Sequence, residues 1–139
     1  MIVKFDDENK RTQVSLRAED LLNIMDIREE EEGEKRSVLW RPEFAAYMIE
    51  GTPGSPYGDN MHGQGLLSNF NQVEPNMRLR RAEMKQLLDA NECLLTLTSF
   101  PRLGCPNFSY PLREPNVKGV SGSIFFPDDA IYGGHPRFK

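Results

Sequence analysis

Alternating apolar and polar residues at the start of the chain predict a β-hairpin. Residues 1–5 and residues 12–16 both alternate, and the segment between them is rich in turn-forming polar residues. Residues 17–27 predict a short helix, because apolar side chains recur there at helical spacing, at Leu21, Leu22, Ile24 and Met25. Residues 28–36 hold five glutamates and no apolar anchor, which predicts a mobile acidic loop.

Prolines divide the middle of the chain into further elements. Residues 37–51 are the most apolar stretch of the N-terminal half. Pro42 predicts that this stretch forms two strand pieces with an irregularity between them, since proline cannot donate to a central ladder. Pro75 suits the first turn of a helix, so we expect a helix over residues 74–90.

The last third of the chain predicts little regular structure. Residues 93–99 are typical of a buried strand. From residue 100 to residue 139 six prolines predict an irregular tail, in which we expect one strand at residues 123–126. The chain begins and ends abruptly, which suggests an internal piece of a longer protein.

Composition narrows the class of protein. The 139 residues are enough for one domain, and 38% hydrophobic with 27% charged residues argues against both a membrane protein and a fully disordered one. The net charge of −4 disfavours a nucleic-acid binder. Cys93 and Cys105 are too few for a disulfide framework, and we expect them to be small core residues of a reduced, cytoplasmic protein with no membrane or nucleic-acid partner.

Two glutamates in apolar surroundings are the first candidates for chemistry. Glu43 and Glu50 flank the segment 44–49, where an acid is costly unless it is paired or binds a cation. Carboxylates suit Mg²⁺, but these features alone favour two ordinary acids that are solvated or paired with Arg or Lys. Their odd separation would place them on opposite faces of one regular strand, so a shared site requires a bulge or bend.

An arginine on the apolar side of the predicted second helix is the next candidate. Arg80 falls on the arc formed by Met77, Met84, Leu87 and Leu88. Because a guanidinium keeps its charge, it must meet a carboxylate, a phosphate or a ligand. Either it pairs with a structural acid such as Glu43 or Asp89, or it binds an anionic substrate.

Several long strings in the chain carry a family resemblance. The longest reads Leu-Trp-Arg-Pro-Glu-Phe-Ala-Ala-Tyr-Met-Ile-Glu-Gly-Thr-Pro-Gly-Ser-Pro-Tyr-Gly, and it resembles the catalytic subunits of eukaryotic glutamate–cysteine ligases. The strings that resemble this family, in the family's order, are residues 39–58, 76–81, 98–106, 125–131 and 135–138.

The resemblance implies a fold, an activity and site residues. It implies an α+β fold that is part of a glutamine synthetase-like antiparallel sheet, with flanking helices and long loops. It also implies an ATP-dependent ligase that joins the γ-carboxylate of glutamate to the amine of cysteine through a γ-glutamyl phosphate, with Mg²⁺ or Mn²⁺. Glu43 and Glu50 match the family's metal ligands, and Arg80 matches an arginine that we expect to bind substrate. A regulatory subunit is a further expected partner.

Two alternatives to a working enzyme stay open. Family members are several times longer, and a Gly-Asp-Glu-x-Glu string that precedes the first strand in them is missing here. We therefore expect this piece alone to be inactive, with most ATP and cysteine contacts outside it. The alternatives are a truncated, non-catalytic interaction module that binds the complete or regulatory subunit through open sheet edges, and a free-standing acidic binding domain.

Overall fold

The computed structural model describes residues 1–33, 36–57 and 66–131 of the chain, and of residues 66–68 only the backbone. Within this part the elements are β1 (Ile2–Asp6), β2 (Arg11–Ser15), α1 (Ala18–Glu32), β3 (Val38–Pro42), β4 (Ile49–Pro53), α2 (Leu66–Lys85), β5 (Glu92–Leu94) and β6 (Ser109–Tyr110). The mixture confirms the predicted α+β class. The likeness of the sheet to glutamine synthetase stays a prediction.

A four-stranded sheet has the order β5-β1-β2-β6. The predicted hairpin is confirmed, since β1 and β2 pair antiparallel with Val3 opposite Val14. β5 adds to β1 antiparallel, whereas β6 adds to β2 in parallel. Val3 and Val14 are buried on one face of this sheet, in a cluster with Ala45, Tyr47, Phe100 and Phe108.

β3 and β4 form a separate two-stranded ribbon, which confirms the two strand pieces expected on either side of Pro42. They pair antiparallel, with Trp40 opposite Gly51 and Arg41 opposite Glu50. The face that carries Trp40 packs into a second core with both helices, whose buried members are Ile2, Ala18, Leu21, Leu22, Met25, Val38, Trp40 and Met84.

The predicted loop over residues 28–36 is wrong for residues 28–32, because α1 continues through Glu32. Neighbouring arginines relieve the repulsion between the glutamates. Arg41 of β3 donates two hydrogen bonds to Glu29, and Arg36 lies 3.7 Å from Glu32. Arg36 itself is buried rather than solvated.

The second helix begins and ends earlier than expected. α2 begins at Leu66 rather than residue 74, so Pro75 lies inside it. Asn76, the next residue, donates its side-chain amide to the Ser37 carbonyl, and this contact helps to hold the turn that lacks the proline N–H. α2 ends at Lys85 because the following amides bond three residues back instead of four.

Two predictions for the last third of the chain are wrong. The buried strand expected over residues 93–99 is only the short β5, which ends at Leu94, and residues 96–99 are exposed. Residues 123–126 form no strand, because the Ser123 hydroxyl accepts the N–H groups of Phe125 and Phe126 and turns the backbone. Between residues 100 and 131 the named elements are β6 and one 3-10 turn, Asp128–Ala130. The string 135–138 lies outside the described residues. None of the helices in the described ranges is long and apolar enough to cross a bilayer.

The two thiols, expected to be core residues, differ in position: Cys93 packs against the cluster that contains Val3 and Val14, and Cys105 does not. Both cysteines are free. Cys93 is half-buried on β5, and burial raises the pKa of its thiol. Cys105 is exposed, so the prediction of a core position is wrong for this residue. It lies in a turn, in which its backbone N–H donates to the Arg102 carbonyl.

Candidate functional site

Glu50 is an exposed acid that has no cationic partner in the part of the chain that the structure describes. It lies on β4 directly opposite Arg41, and residues paired in this way point to the same face of the ribbon. Arg41 nevertheless donates to both carboxylate oxygens of Glu29, at 2.7 and 2.8 Å, and these bonds hold the pKa of Glu29 below its usual range. Among the described residues, Glu50 therefore has neither an ion-pair partner nor a hydrogen-bond donor.

Glu43 stands at the end of the same ribbon. It follows the last residue of β3 and is half-buried, and its Oε2 accepts the N–H of Phe44 at 3.1 Å. No cation among the described residues lies within ion-pair distance of its carboxylate. The bend expected between the two acids is the turn that joins β3 to β4. Glu43 directly follows Pro42, the last residue of β3, and Glu50 is the second residue of β4, so both acids lie at the end of the ribbon where this turn joins the strands.

The two carboxylates fit a hard divalent cation by their donor chemistry. Their oxygens are free of cations in the described chain, and Mg²⁺ usually takes one or two protein carboxylates with water or phosphate completing its shell. The described residues contain no cluster of three or more acidic, histidine or cysteine side chains that could hold a metal. This ribbon can therefore supply two ligands, and a site with more protein ligands needs residues from elsewhere.

Arg80 reaches from α2 to the backbone of β4. Its Nη1 donates to the Gly51 carbonyl, and its Nη2 lies 3.2 Å from the Tyr57 hydroxyl. The structural partners considered for it are wrong: Asp89 pairs with Arg17 at 3.1 Å, and no acid of the described chain lies within 4.0 Å of Arg80. Its role in binding substrate stays a prediction.

The glycine that follows Glu50 is tightly enclosed. A Cβ added to Gly51 would lie 2.7 Å from Cζ3 of Trp40 and 3.1 Å from Cδ of Arg80. Trp40 is anchored in turn, because its Nε1 donates to Glu83 at 3.3 Å. Only a residue without a side chain fits between the indole and the guanidinium stem.

A model of the glutamate–cysteine ligase family matches residues 1–139. This chain belongs to the glutamate–cysteine ligase family. It is 49% identical over 141 residues to the glutamate–cysteine ligase catalytic subunit of Homo sapiens, covering all of this chain and 21% of that protein. The Dictyostelium discoideum enzyme is 39% identical over 132 residues, covering 94% of this chain and 19% of its own length. The chain spans about a fifth of the length of the relatives it matches.

The sequence alone did not predict the residues that support the ribbon. Trp40, Gly51, Tyr57 and Glu83 were not predicted to contribute. A glycine directly after a candidate ligand was the available signal, since it often marks close approach of another group. The partners of Arg80 had no sequence signal, because a backbone carbonyl and a tyrosine hydroxyl are acceptors that only tertiary packing selects.

A small cavity opens beside Arg80. It has a volume of about 270 Å³, and its wall consists mainly of apolar side chains from α2, the ribbon and residues 94–97. Arg80 and Arg81 both line it, and Arg81 donates to Thr96 at 2.7 Å and to the Leu94 carbonyl at 3.0 Å. Two positive charges in an apolar wall suit a small anion that carries an apolar part.

Proposed function

We propose that this chain contributes the metal-binding carboxylates Glu43 and Glu50 to an ATP-dependent glutamate–cysteine ligase. The complete protein would join the γ-carboxylate of glutamate to the amine of cysteine in the first step of glutathione biosynthesis. The observation that carries the proposal is a pair of acids that no cation of the described residues contacts, in a chain matched by the family model from its first residue to its last.

The reaction has two steps in which charge must be controlled. The γ-carboxylate of glutamate takes the γ-phosphoryl group of ATP and ADP leaves, after which the cysteine amine attacks the acyl carbon, with loss of phosphate and a proton. A bound Mg²⁺ or Mn²⁺ supplies neutralisation of the phosphate charge. Glu43 and Glu50 would hold that ion, since Arg41 is engaged by Glu29 and does not compete for Glu50. Arg80 would add positive charge beside the anionic reactants.

The substrates, partners and location follow from the same proposal. Glutamate, cysteine and ATP would be substrates of the complete protein, a regulatory subunit would be its partner, and the cytoplasm would be its location. The isolated chain would not turn over, because the described residues bring no third metal-ligating side chain to the two glutamates.

A chimeric subunit tests the proposal. In it, this chain replaces the matched segment of the Homo sapiens catalytic subunit, and ATP-dependent formation of γ-glutamylcysteine is measured at saturating Mg²⁺. Glu50→Gln should lose most of the activity, because it removes a formal charge from the metal site. The matched control is Glu30→Gln, an exposed acid on α1. A folded but inactive chimeric subunit, or near-normal turnover by Glu50→Gln, would contradict the proposal.

A second candidate function is a non-catalytic interaction module. It is favoured by large apolar side chains exposed in the C-terminal segment, where Val120 is 83%, Ile124 64% and Phe125 62% exposed. Such a patch is typical of a surface that another polypeptide covers. Co-elution of the isolated chain with the Homo sapiens catalytic subunit, lost in Ile124→Ser with Phe125→Ser, would support it. Separate elution of the two proteins would contradict it.

A further inference from the structure

We propose that Arg80 is a positioning residue, which holds the backbone of β4 so that Glu50 is presented to the metal. This inference rests on the proposed function, since it assigns Arg80 a task only if Glu50 is a ligand. It differs from the expected substrate contact, because the atoms that Arg80 contacts belong to the protein itself.

The hydrogen bonds of Arg80 span the segment that follows Glu50. Nη1 donates to the carbonyl of Gly51, the residue directly after Glu50, and Nη2 contacts the hydroxyl of Tyr57 six residues further on. The Tyr57 hydroxyl also donates to Asn76 of α2 at 3.0 Å. One guanidinium therefore ties the Gly51–Thr52 peptide unit, which begins one residue after Glu50, and the end of the following segment to α2.

Side-chain packing also restricts the backbone at Gly51. Gly51 lies between the Trp40 ring and the Arg80 side chain, with no room for a Cβ. Trp40 is held by Glu83, which also accepts a hydrogen bond from Arg36 at 3.1 Å. Arg80 and Glu83 lie three residues apart, on neighbouring positions of one face of α2. Arg80 contacts β4 at Gly51, and Glu83 contacts β3 at Trp40.

The two terminal nitrogens of Arg80 donate to neutral acceptors, and its buried Nε has no partner among the described residues. In the described residues no carboxylate neutralises the charge of Arg80, and hydrogen bonds from a charged donor are roughly twice as strong as neutral ones. Loss of a group hydrogen-bonded to a metal ligand typically lowers metal affinity by 10- to 100-fold. Arg80 contacts the residue after Glu50 rather than its carboxylate, so we expect an effect at the lower end of that range.

The test measures binding of Mn²⁺ alone to the chimeric subunit, by electron paramagnetic resonance without substrates. We expect Arg80→Ala to raise the dissociation constant about tenfold. Arg80→Lys should restore part of the affinity, because one ammonium can reach one of the two acceptors. Arg78→Ala is the matched control, since Arg78 lies on the same helix and its hydrogen bonds within the described ranges go to Glu74, four residues away. It should leave the dissociation constant within twofold.

The outcomes separate this inference from the proposed function. If Glu50→Gln has the same dissociation constant for Mn²⁺ as the unaltered protein, the proposed function fails. If Glu50→Gln weakens binding and Arg80→Ala does not, only the positioning role is overturned, and a raised KM for glutamate would then make Arg80 a substrate contact. Should Arg80→Ala fail to fold by circular dichroism, Arg80→Lys decides: unchanged Mn²⁺ affinity overturns the role, and a weakened affinity supports it.

Discussion

Arg17 Nη1 lies 2.5 Å from the Oε2 of Glu92, whose side chain is completely buried. The other carboxylate oxygen of Glu92 accepts the Ser15 hydroxyl at 2.7 Å, and Oε2 also accepts the Asp89 N–H at 3.1 Å. A buried acid with a cation and two donors joins the end of β2, the start of α1 and the start of β5. These contacts fasten the four-stranded sheet to the helical layer.

Removing the Glu92 carboxylate should destabilise the chain strongly. Glu92→Ala leaves Arg17 and the Ser15 hydroxyl without their buried acceptor, and we expect a loss of about 3 kcal/mol in the free energy of unfolding by urea. Asp89 is the other acid bound to Arg17, and its side chain is 57% exposed. Asp89→Ala should therefore lower the free energy of unfolding by less than about 1 kcal/mol. Equal losses in the two variants would show that burial of Glu92 does not matter.

Met84 and Met77 of α2 form a matched pair for a packing test. Met84 is fully buried between the ribbon and α1, whereas Met77 is 52% exposed, although both lie on the same predicted apolar arc. Met84→Ala should cost about 2–5 kcal/mol in urea unfolding, because it leaves a cavity. Met77→Ala should cost under about 1 kcal/mol on the scale of surface substitutions. A reversed order would contradict the position of α2 on the ribbon.

The Glu29–Arg41 pair predicts a pH effect with a definite sign. Hydrogen bonds from Arg41 lower the pKa of Glu29, so the pair stabilises the fold above the ordinary glutamate pKa of about 4.3. This stabilisation is lost as the pH falls through the lower pKa of the folded state. Carboxyl NMR titration should show the Glu29 pKa rising in Arg41→Ala. Asp6, whose lowered pKa comes from Asn9 and Arg11, is the internal control and should not move.

Gly51→Ala should disturb the ribbon locally. The new Cβ would meet the Trp40 ring, and overpacking of this kind costs about 1–3 kcal/mol. Trp40 is the only tryptophan of the chain, so its fluorescence emission should shift. Gly122→Ala is the control: its φ of +57° strains an alanine by about 1–2 kcal/mol, but open space surrounds it. The same emission in Gly51→Ala as in the unaltered chain would refute the close contact.

The sequence predicted the hairpin correctly, but it misplaced the boundaries of both helices. The β1–β2 hairpin was predictable because alternation has a period of two residues and a turn segment joins the strands. α1 was expected near its true start, but its continuation to Glu32 was missed, because the repulsion of four adjacent glutamates is relieved by Arg41, which is distant in sequence. α2 was misplaced because a proline at residue 75 fits a first turn and an anchored interior turn equally well.

The sequence by itself determined the family, the hairpin and the two acids as candidates, since long strings and local periodicity require no knowledge of packing. Only the tertiary structure decided which charged side chains form ion pairs with one another. Arg41 stands opposite Glu50 but binds Glu29, and Arg80 binds a carbonyl rather than an acid, because α1 and α2 lie against the ribbon at those positions. Ion pairs form between groups that folding brings within a few ångströms, and the order of residues along a chain does not state that distance.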